Sequence, residues 1–90
     1  MNIEKIYFVI DKTIRDKTLK KTIFKKFEKH KVKYSDAIVV IGGDGFMLKT
    51  LKKYQKYKKP FYGMNKGTYG FLMNKFEMKN LRKKIEKARP

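Results

Sequence analysis

Three short apolar runs in the sequence predict three buried β-strands. They cover residues 5–10 (KIYFVI), 36–41 (DAIVVI) and 61–64 (FYGM). In the first two runs the apolar residues follow one another without polar alternation, which is typical of strands covered on both faces of a parallel sheet. The third run follows Pro60 and predicts a shorter strand.

Helical periodicity fills the intervals between and after these runs. Leu19, Ile23 and Phe27 recur every four residues among lysines, which predicts an amphipathic helix with Asp16 as its N-cap. The predicted helices span about residues 16–30, 46–57 and 77–88. The alternation of strands and helices predicts one α/β domain over residues 1–90, a small parallel sheet flanked by helices.

The charge of the chain favours an anionic ligand. Its formal net charge is +17, with 25 Lys and Arg against 8 Asp and Glu. Such a charge attracts either nucleic acid or small phosphate compounds. However, only Arg15, Arg82 and Arg89 are arginines, the residue that base recognition favours, and the lysines are scattered along the whole chain. We therefore expect nucleotides, rather than a nucleic acid, as partners.

Other aspects of the composition exclude several classes of protein. The sequence has no cysteine, which excludes disulfides, thiolate catalysis and cysteine-ligated zinc. The N-terminal apolar run is short and is followed by charged residues, unlike a signal peptide. No segment approaches the roughly 20 apolar residues of a membrane span. We expect a cytoplasmic protein without a membrane partner.

A single acid lies among glycines directly after the second predicted strand, in the run Gly42-Gly43-Asp44-Gly45. Ligands of parallel sheets bind beyond the carboxyl ends of the strands, and glycine-rich backbone before a helix binds phosphate. A carboxylate beside phosphate needs a task, such as binding Mg²⁺ or accepting a proton from an attacking hydroxyl. A plain Gly-Asp-Gly turn is the alternative, and the tetrapeptide alone does not decide between them.

A second glycine-rich stretch follows the third predicted strand, at residues 63–72 (GMNKGTYGFL). It should reach the same edge of the sheet as Asp44. Two such loops at one edge predict a nucleotide crevice. Taken separately, Asn65 could cap a turn, and Phe71 could belong to the core.

Together these motifs resemble those of the NAD kinases, which phosphorylate the 2′-hydroxyl of the adenosine ribose of NAD. The resemblance rests on GGDG at residues 42–45, on the pattern GxNxGxxGFL at residues 63–72, and on the helix and short strand between them. It covers about residues 1–88. It implies that the chain is the Rossmann-like N-terminal half of a two-domain kinase.

The resemblance also implies a set of site residues. Asp44 would be the general base and Phe71 would lie against the adenine of NAD. Lys49 stands where several family members carry arginine, although it could equally be a solvated helix lysine. The implied cofactor-binding residues are Gly43, Asp44, Gly45, Lys49, Asn65, Gly67, Gly70 and Phe71. No residue is predicted as a metal ligand.

The resemblance further implies Mg²⁺ or another divalent cation, with ATP or polyphosphate as phosphoryl donor and NAD as acceptor. The family's C-terminal β-rich domain carries an Asn-Glu or Asn-Asp motif, and nothing in this chain matches it. We therefore expect a fragment that is inactive alone and a homo-oligomer at full length.

Two alternatives stay open at this point. Lipid kinases of the diacylglycerol type share GGDG, but they normally carry Thr after it and lack the second motif. A basic nucleic-acid-binding module explains the charge, but it leaves both glycine loops without a purpose.

Overall fold

A four-stranded parallel sheet forms the centre of the computed structural model, which describes residues 3–65, 74–75 and 79–87. The strands lie side by side in chain order: β1 Ile6–Ile10, β2 Ala37–Gly42, β3 Phe61–Asn65 and β4 Asn74–Lys75. The three predicted strands and their parallel arrangement are confirmed. The sequence did not predict β4, because its two polar residues have no apolar pattern.

Three helices flank the sheet: α1 Leu19–Lys26, α2 Asp44–Tyr54 and α3 Leu81–Lys87. Single turns of 3₁₀ helix lie at Val32–Tyr34 and Gln55–Tyr57. None of the helices in the described ranges is long and apolar enough to cross a membrane.

The start of α1 differs from the sequence prediction. Thr18, not Asp16, is the N-cap residue. The Asp16 carboxylate instead accepts hydrogen bonds from the backbone N–H and the hydroxyl of Thr18, at 3.0 and 2.7 Å. Aspartate thereby closes a turn just before the helix, which is its other common local role.

The end of α1 also comes earlier than predicted. Phe27 has extended backbone, with φ −129° and ψ 139°, so the helix ends at Lys26. The Phe27 ring still packs on Phe8 of β1, with ring centroids 5.4 Å apart. Its apolar side chain therefore continues the helical pattern of the sequence although its backbone is not helical.

Two apolar clusters cover opposite faces of the sheet. The larger one lies under α1 and α3 and includes Val39 and Ile41 of β2. The smaller one joins Ile38 and Val40 to Met47 of α2. Alternate β2 residues thus face opposite clusters, which explains why the apolar run of this strand is continuous.

The amino ends of β1 and β2 are fastened by Asp36. Its carboxylate accepts hydrogen bonds from the backbone N–H groups of Lys5 and Glu4, at 2.8 and 3.0 Å. Its own N–H donates to the Lys5 carbonyl at 2.7 Å. The bonds from Lys5 and Glu4 hold the pKa of Asp36 below its usual value, because they stabilise the ionised carboxylate.

Candidate functional site

The carboxyl ends of β1, β2 and β3 meet at one edge of the sheet. Ile10 pairs with Ile41, and Gly42 pairs with Asn65. Asp11 continues the first pairing, since its N–H donates to the Ile41 carbonyl at 2.9 Å. The start of the second glycine-rich stretch therefore lies beside the first one, as the parallel sheet requires.

Asp44 lies at this edge as the first residue of α2. Gly43 is the N-cap, and its carbonyl accepts the N–H of Met47 at 2.9 Å. Asp44 is partly exposed and belongs to neither apolar cluster. An acid in the first turn of a helix is stabilised by the helix dipole. The GGDG run is thus the start of a helix and not an isolated turn.

The structure gives different reasons for the presence of glycine at positions 42, 43 and 45. A Cβ on Gly42 would lie 2.8 Å from Phe46 Cδ2 and 3.2 Å from Asp11 Cβ. Apart from the adjacent residues and the backbone of α2, no heavy atom of the described residues would lie within 4 Å of a Cβ on Gly43 or Gly45. Gly43 has φ −109°, which any residue can adopt. Close packing therefore requires Gly42, whereas the described fold does not require the other two.

Asn65 ends β3 and contributes a buried polar atom to the same edge. Its side-chain Oδ1 has no hydrogen-bond partner in the described part of the chain. An unsatisfied buried acceptor costs about 1–3 kcal/mol. A ligand that donates a hydrogen bond at this edge would remove that cost, which agrees with the cofactor-binding role that the resemblance implies for Asn65.

Lys49 lies on a different side of α2 from Asp44. It is exposed on α2, five residues further along and so about 140° around the helix axis. This placement favours the solvated-lysine alternative. Gly67, Gly70 and Phe71 lie outside the described residues, so their roles stay predictions.

A second carboxylate at this edge was not identified from the sequence. Asp11 follows β1 and accepts hydrogen bonds from the N–H and hydroxyl of Thr13, both at 2.9 Å. Its Cβ would lie 3.2 Å from a Cβ placed on Gly42, so Asp11 lies beside that glycine. The position of Asp11 directly after the first apolar run could have indicated a site residue. The polar residues that follow it, however, predicted only a turn.

A parallel sheet with a glycine-flanked acid at the start of a helix, on its carboxyl edge, is typical of nucleotide-binding α/β domains. Comparison with known families agrees with this class. Residues 4–88 match the family described as the ATP-NAD kinase N-terminal domain. The chain therefore belongs to the NAD kinase family, a family of phosphotransferases, and the match favours it over the lipid kinases that share GGDG.

Individual relatives support the same assignment. The chain is 38% identical over 88 residues to the NAD kinase of Rickettsia akari, covering 98% of this chain and 34% of the relative. It is 38% identical over 80 residues to the Brucella suis NAD kinase, covering 89% and 31%. It is 54% identical over 54 residues to the Cereibacter sphaeroides NAD kinase, covering 60% and 21%.

The chain thus spans about one third or less of the length of these curated relatives. No solved structure gives a significant match.

Proposed function

We propose that this chain supplies the catalytic-base side of an NAD kinase active site. The observation that carries the proposal is the pair of glycines around Asp44. Apart from the adjacent residues and the backbone of α2, the described part of the chain leaves space around a Cβ on Gly43 or Gly45, so packing there requires neither glycine. Such space allows the phosphate or ribose of a nucleotide to approach the backbone.

In the proposed reaction, the Asp44 carboxylate takes the proton of the ribose 2′-hydroxyl as its oxygen bonds to the γ-phosphorus of the donor. The bond from that phosphorus to the leaving diphosphate oxygen breaks, which gives NADP and ADP. A carboxylate is a weak base, so it acts while the new bond forms. The positive end of α2 favours the phosphate charge at this edge.

The donor is ATP, with inorganic polyphosphate as the alternative. The described residues contain no group of three or more His, Cys, Asp or Glu that could hold a metal ion. Mg²⁺ in kinases is commonly held by one or two carboxylates and by the substrate phosphates, so an edge with few carboxylates fits a cation that arrives with the donor. When bound, the cation supplies charge neutralisation at the transferred phosphoryl group.

The remaining contacts to NAD follow from the family resemblance. Asn65 Oδ1 accepts a hydrogen bond from the ligand, and Phe71 stacks on the adenine. Gly67 and Gly70 let the second loop approach the nucleotide. The C-terminal domain of the family completes the crevice, in a cytoplasmic homo-oligomer.

A chimeric enzyme tests the proposal. Residues 1–88 replace the matching N-terminal segment of the Rickettsia akari relative, and NADP formation is followed with an NADP-specific dehydrogenase. We expect the chimera to be active and Asp44→Asn to reduce kcat by at least about 100-fold, since a general base contributes roughly that much.

The matched control is Asp16→Asn, which removes a carboxylate from the turn before α1 and should leave kcat unchanged. Near-normal turnover of the Asp44→Asn chimera, with the Asp16→Asn chimera equally active, would exclude the general-base role.

A further inference from the structure

Three lysine–tyrosine pairs lie at the other, amino edge of the sheet. They are Lys33-Tyr34, Lys53-Tyr54 and Lys56-Tyr57, which we call the lysine–tyrosine surface. In each pair the lysine Nζ lies over the neighbouring ring, at 5.0, 5.4 and 5.4 Å from its centroid. The first pair ends the 3₁₀ turn that precedes β2 by two residues, and the other two pairs end α2 and the 3₁₀ turn that follows it.

The fold brings the three pairs together through contacts that the sequence does not show. The rings of Tyr54 and Tyr57 lie 6.1 Å apart, and Val32 packs on the same apolar cluster as Tyr54. Lys59 ties the first pair to the segment after Tyr57, because its Nζ donates to the carbonyls of Lys33 and Ser35. Tyr54 also contacts Tyr7 of β1, and the hydroxyl oxygens of the two tyrosines lie 3.2 Å apart.

This surface is accessible and basic. Tyr34 is 60% exposed, which is unusual for an aromatic side chain. Lys33, Lys53 and Lys56 are exposed as well. The Asp36 carboxylate accepts backbone N–H groups of Glu4 and Lys5, and the lysine charges that act on it are those of Lys5 and Lys59, which are not among the three pairs.

We infer that the lysine–tyrosine surface binds single-stranded nucleic acid. The lysines contact the phosphates, and an unpaired base stacks on Tyr34, the exposed ring of the three pairs. A duplex has no free base faces and could use only the lysines. Because ammonium groups are point charges without the planar fork of arginine, the binding should show little sequence preference.

The inferred surface is separate from the proposed kinase site. The β2 strand has six residues and lies between them, which places the two sites roughly 20 Å apart. Binding of nucleic acid therefore does not depend on Asp44. Failure of one proposal would leave the other standing.

Fluorescence anisotropy with a labelled oligouridylate of about 12 nucleotides, long enough for one small binding surface, tests the inference. The competitor is a duplex RNA of the same length. Simple electrostatics favours the duplex, which has the higher charge density. We expect residues 1–90 to bind the single strand more tightly than the duplex.

Variants of one exposed ring separate stacking from charge. Tyr34→Ala should weaken binding of the single strand by about tenfold, the loss of one stacked base. Tyr34→Phe should bind like the native chain, because stacking does not need the hydroxyl. Circular dichroism checks that each variant retains the native fold.

Lysine variants test the phosphate contacts. The double change Lys33→Gln and Lys56→Gln should reduce the slope of log affinity against log salt by about 1.4, from roughly 0.7 for each phosphate contact. The matched change Lys20→Gln and Lys25→Gln on α1 removes the same charge elsewhere and should leave the slope unchanged.

Three results with nucleic acids would overturn the inference. They are equal binding by Tyr34→Ala and the native chain, tighter binding of the duplex, and equal slopes for the two double lysine variants. Binding to phosphatidylserine vesicles without binding to oligouridylate would also overturn it, in favour of a membrane surface.

Discussion

The three glycines of the GGDG run are explained by different physical requirements. In the sequence its glycines are equivalent members of one motif. In the structure Gly42 is held between Phe46 and Asp11, whereas Gly43 and Gly45 border open space in the described region. Packing therefore explains one glycine, and the proposed ligand explains the other two.

Alanine substitutions should separate these reasons. Gly42→Ala forces Phe46 or Asp11 to shift and should lower the free energy of unfolding by about 1–3 kcal/mol. Gly45→Ala lies in the first turn of α2 and should be neutral or stabilising by up to about 1 kcal/mol. Urea unfolding of the chain measures both.

In the chimeric enzyme, we expect the two glycines that packing does not require to matter most for nucleotide binding. Gly43→Ala and Gly45→Ala should raise the KM for the nucleotides while the fold is retained. Destabilisation by Gly43→Ala as large as that by Gly42→Ala would contradict this division of roles.

The hydrogen bonds between Asp36 and the segment before β1 show how one side chain can help to set the register of two strands. Asp36 precedes β2 and bonds the amides that lead into β1. These bonds help hold the register in which Ile6 faces Ala37. The same register brings Asp11 and Gly42 together at the opposite edge.

The lowered pKa of Asp36 makes this fastening dependent on pH. A carboxyl group whose pKa is lower in the folded state stabilises the fold above its unfolded pKa of about 3.9. This stabilisation is lost as the pH falls through the lowered folded pKa. Asp36→Asn should therefore cost about 1 kcal/mol near pH 7, for hydrogen bonds that are solvent-exposed.

Urea unfolding at a series of pH values checks the prediction, with Glu28→Gln at an exposed position as control. The difference between the native chain and Asp36→Asn should shrink below about pH 4, near the ordinary pKa of aspartate. A difference that stays constant down to strongly acidic pH would show that the carboxylate charge does not contribute.

We expect the whole chain to form only one side of the proposed nucleotide crevice. The described edge holds Asp44 and Asn65, but the chain spans only about a third of the length of its relatives. We expect residues 1–90 alone to give no measurable NADP formation under conditions in which the chimera is active. Turnover by the chain equal to that of the chimera would show that the remaining domain is dispensable.

The distribution of charge over the molecule also differs from its distribution in the sequence. Lysines scattered along the chain argued against a nucleic-acid partner. Folding places the Lys33 segment beside the segment that follows α2, because Lys59 Nζ donates to the carbonyls of Lys33 and Ser35. The proposed nucleic-acid surface therefore rests on contacts between segments that are distant in sequence.

Apolar periodicity was enough to predict the three main strands, three helices and their parallel α/β arrangement, because a buried strand and an amphipathic helix leave different repeats. It could not place the end of α1, since Phe27 packs on Phe8 from an extended backbone. It also could not find β4, whose pairing with β3 uses backbone groups rather than apolar side chains.

For the candidate site, the residue types and their order predicted Asp44 and the glycine loops only together with the family resemblance, since GGDG alone is also compatible with a plain turn. Only the folded chain showed which glycine is needed for packing, that Asn65 Oδ1 lacks a partner in the described region, and that Asp11 lies beside Gly42. These are properties of atoms brought together by strand pairing. A linear pattern contains the residues but not the distances between them.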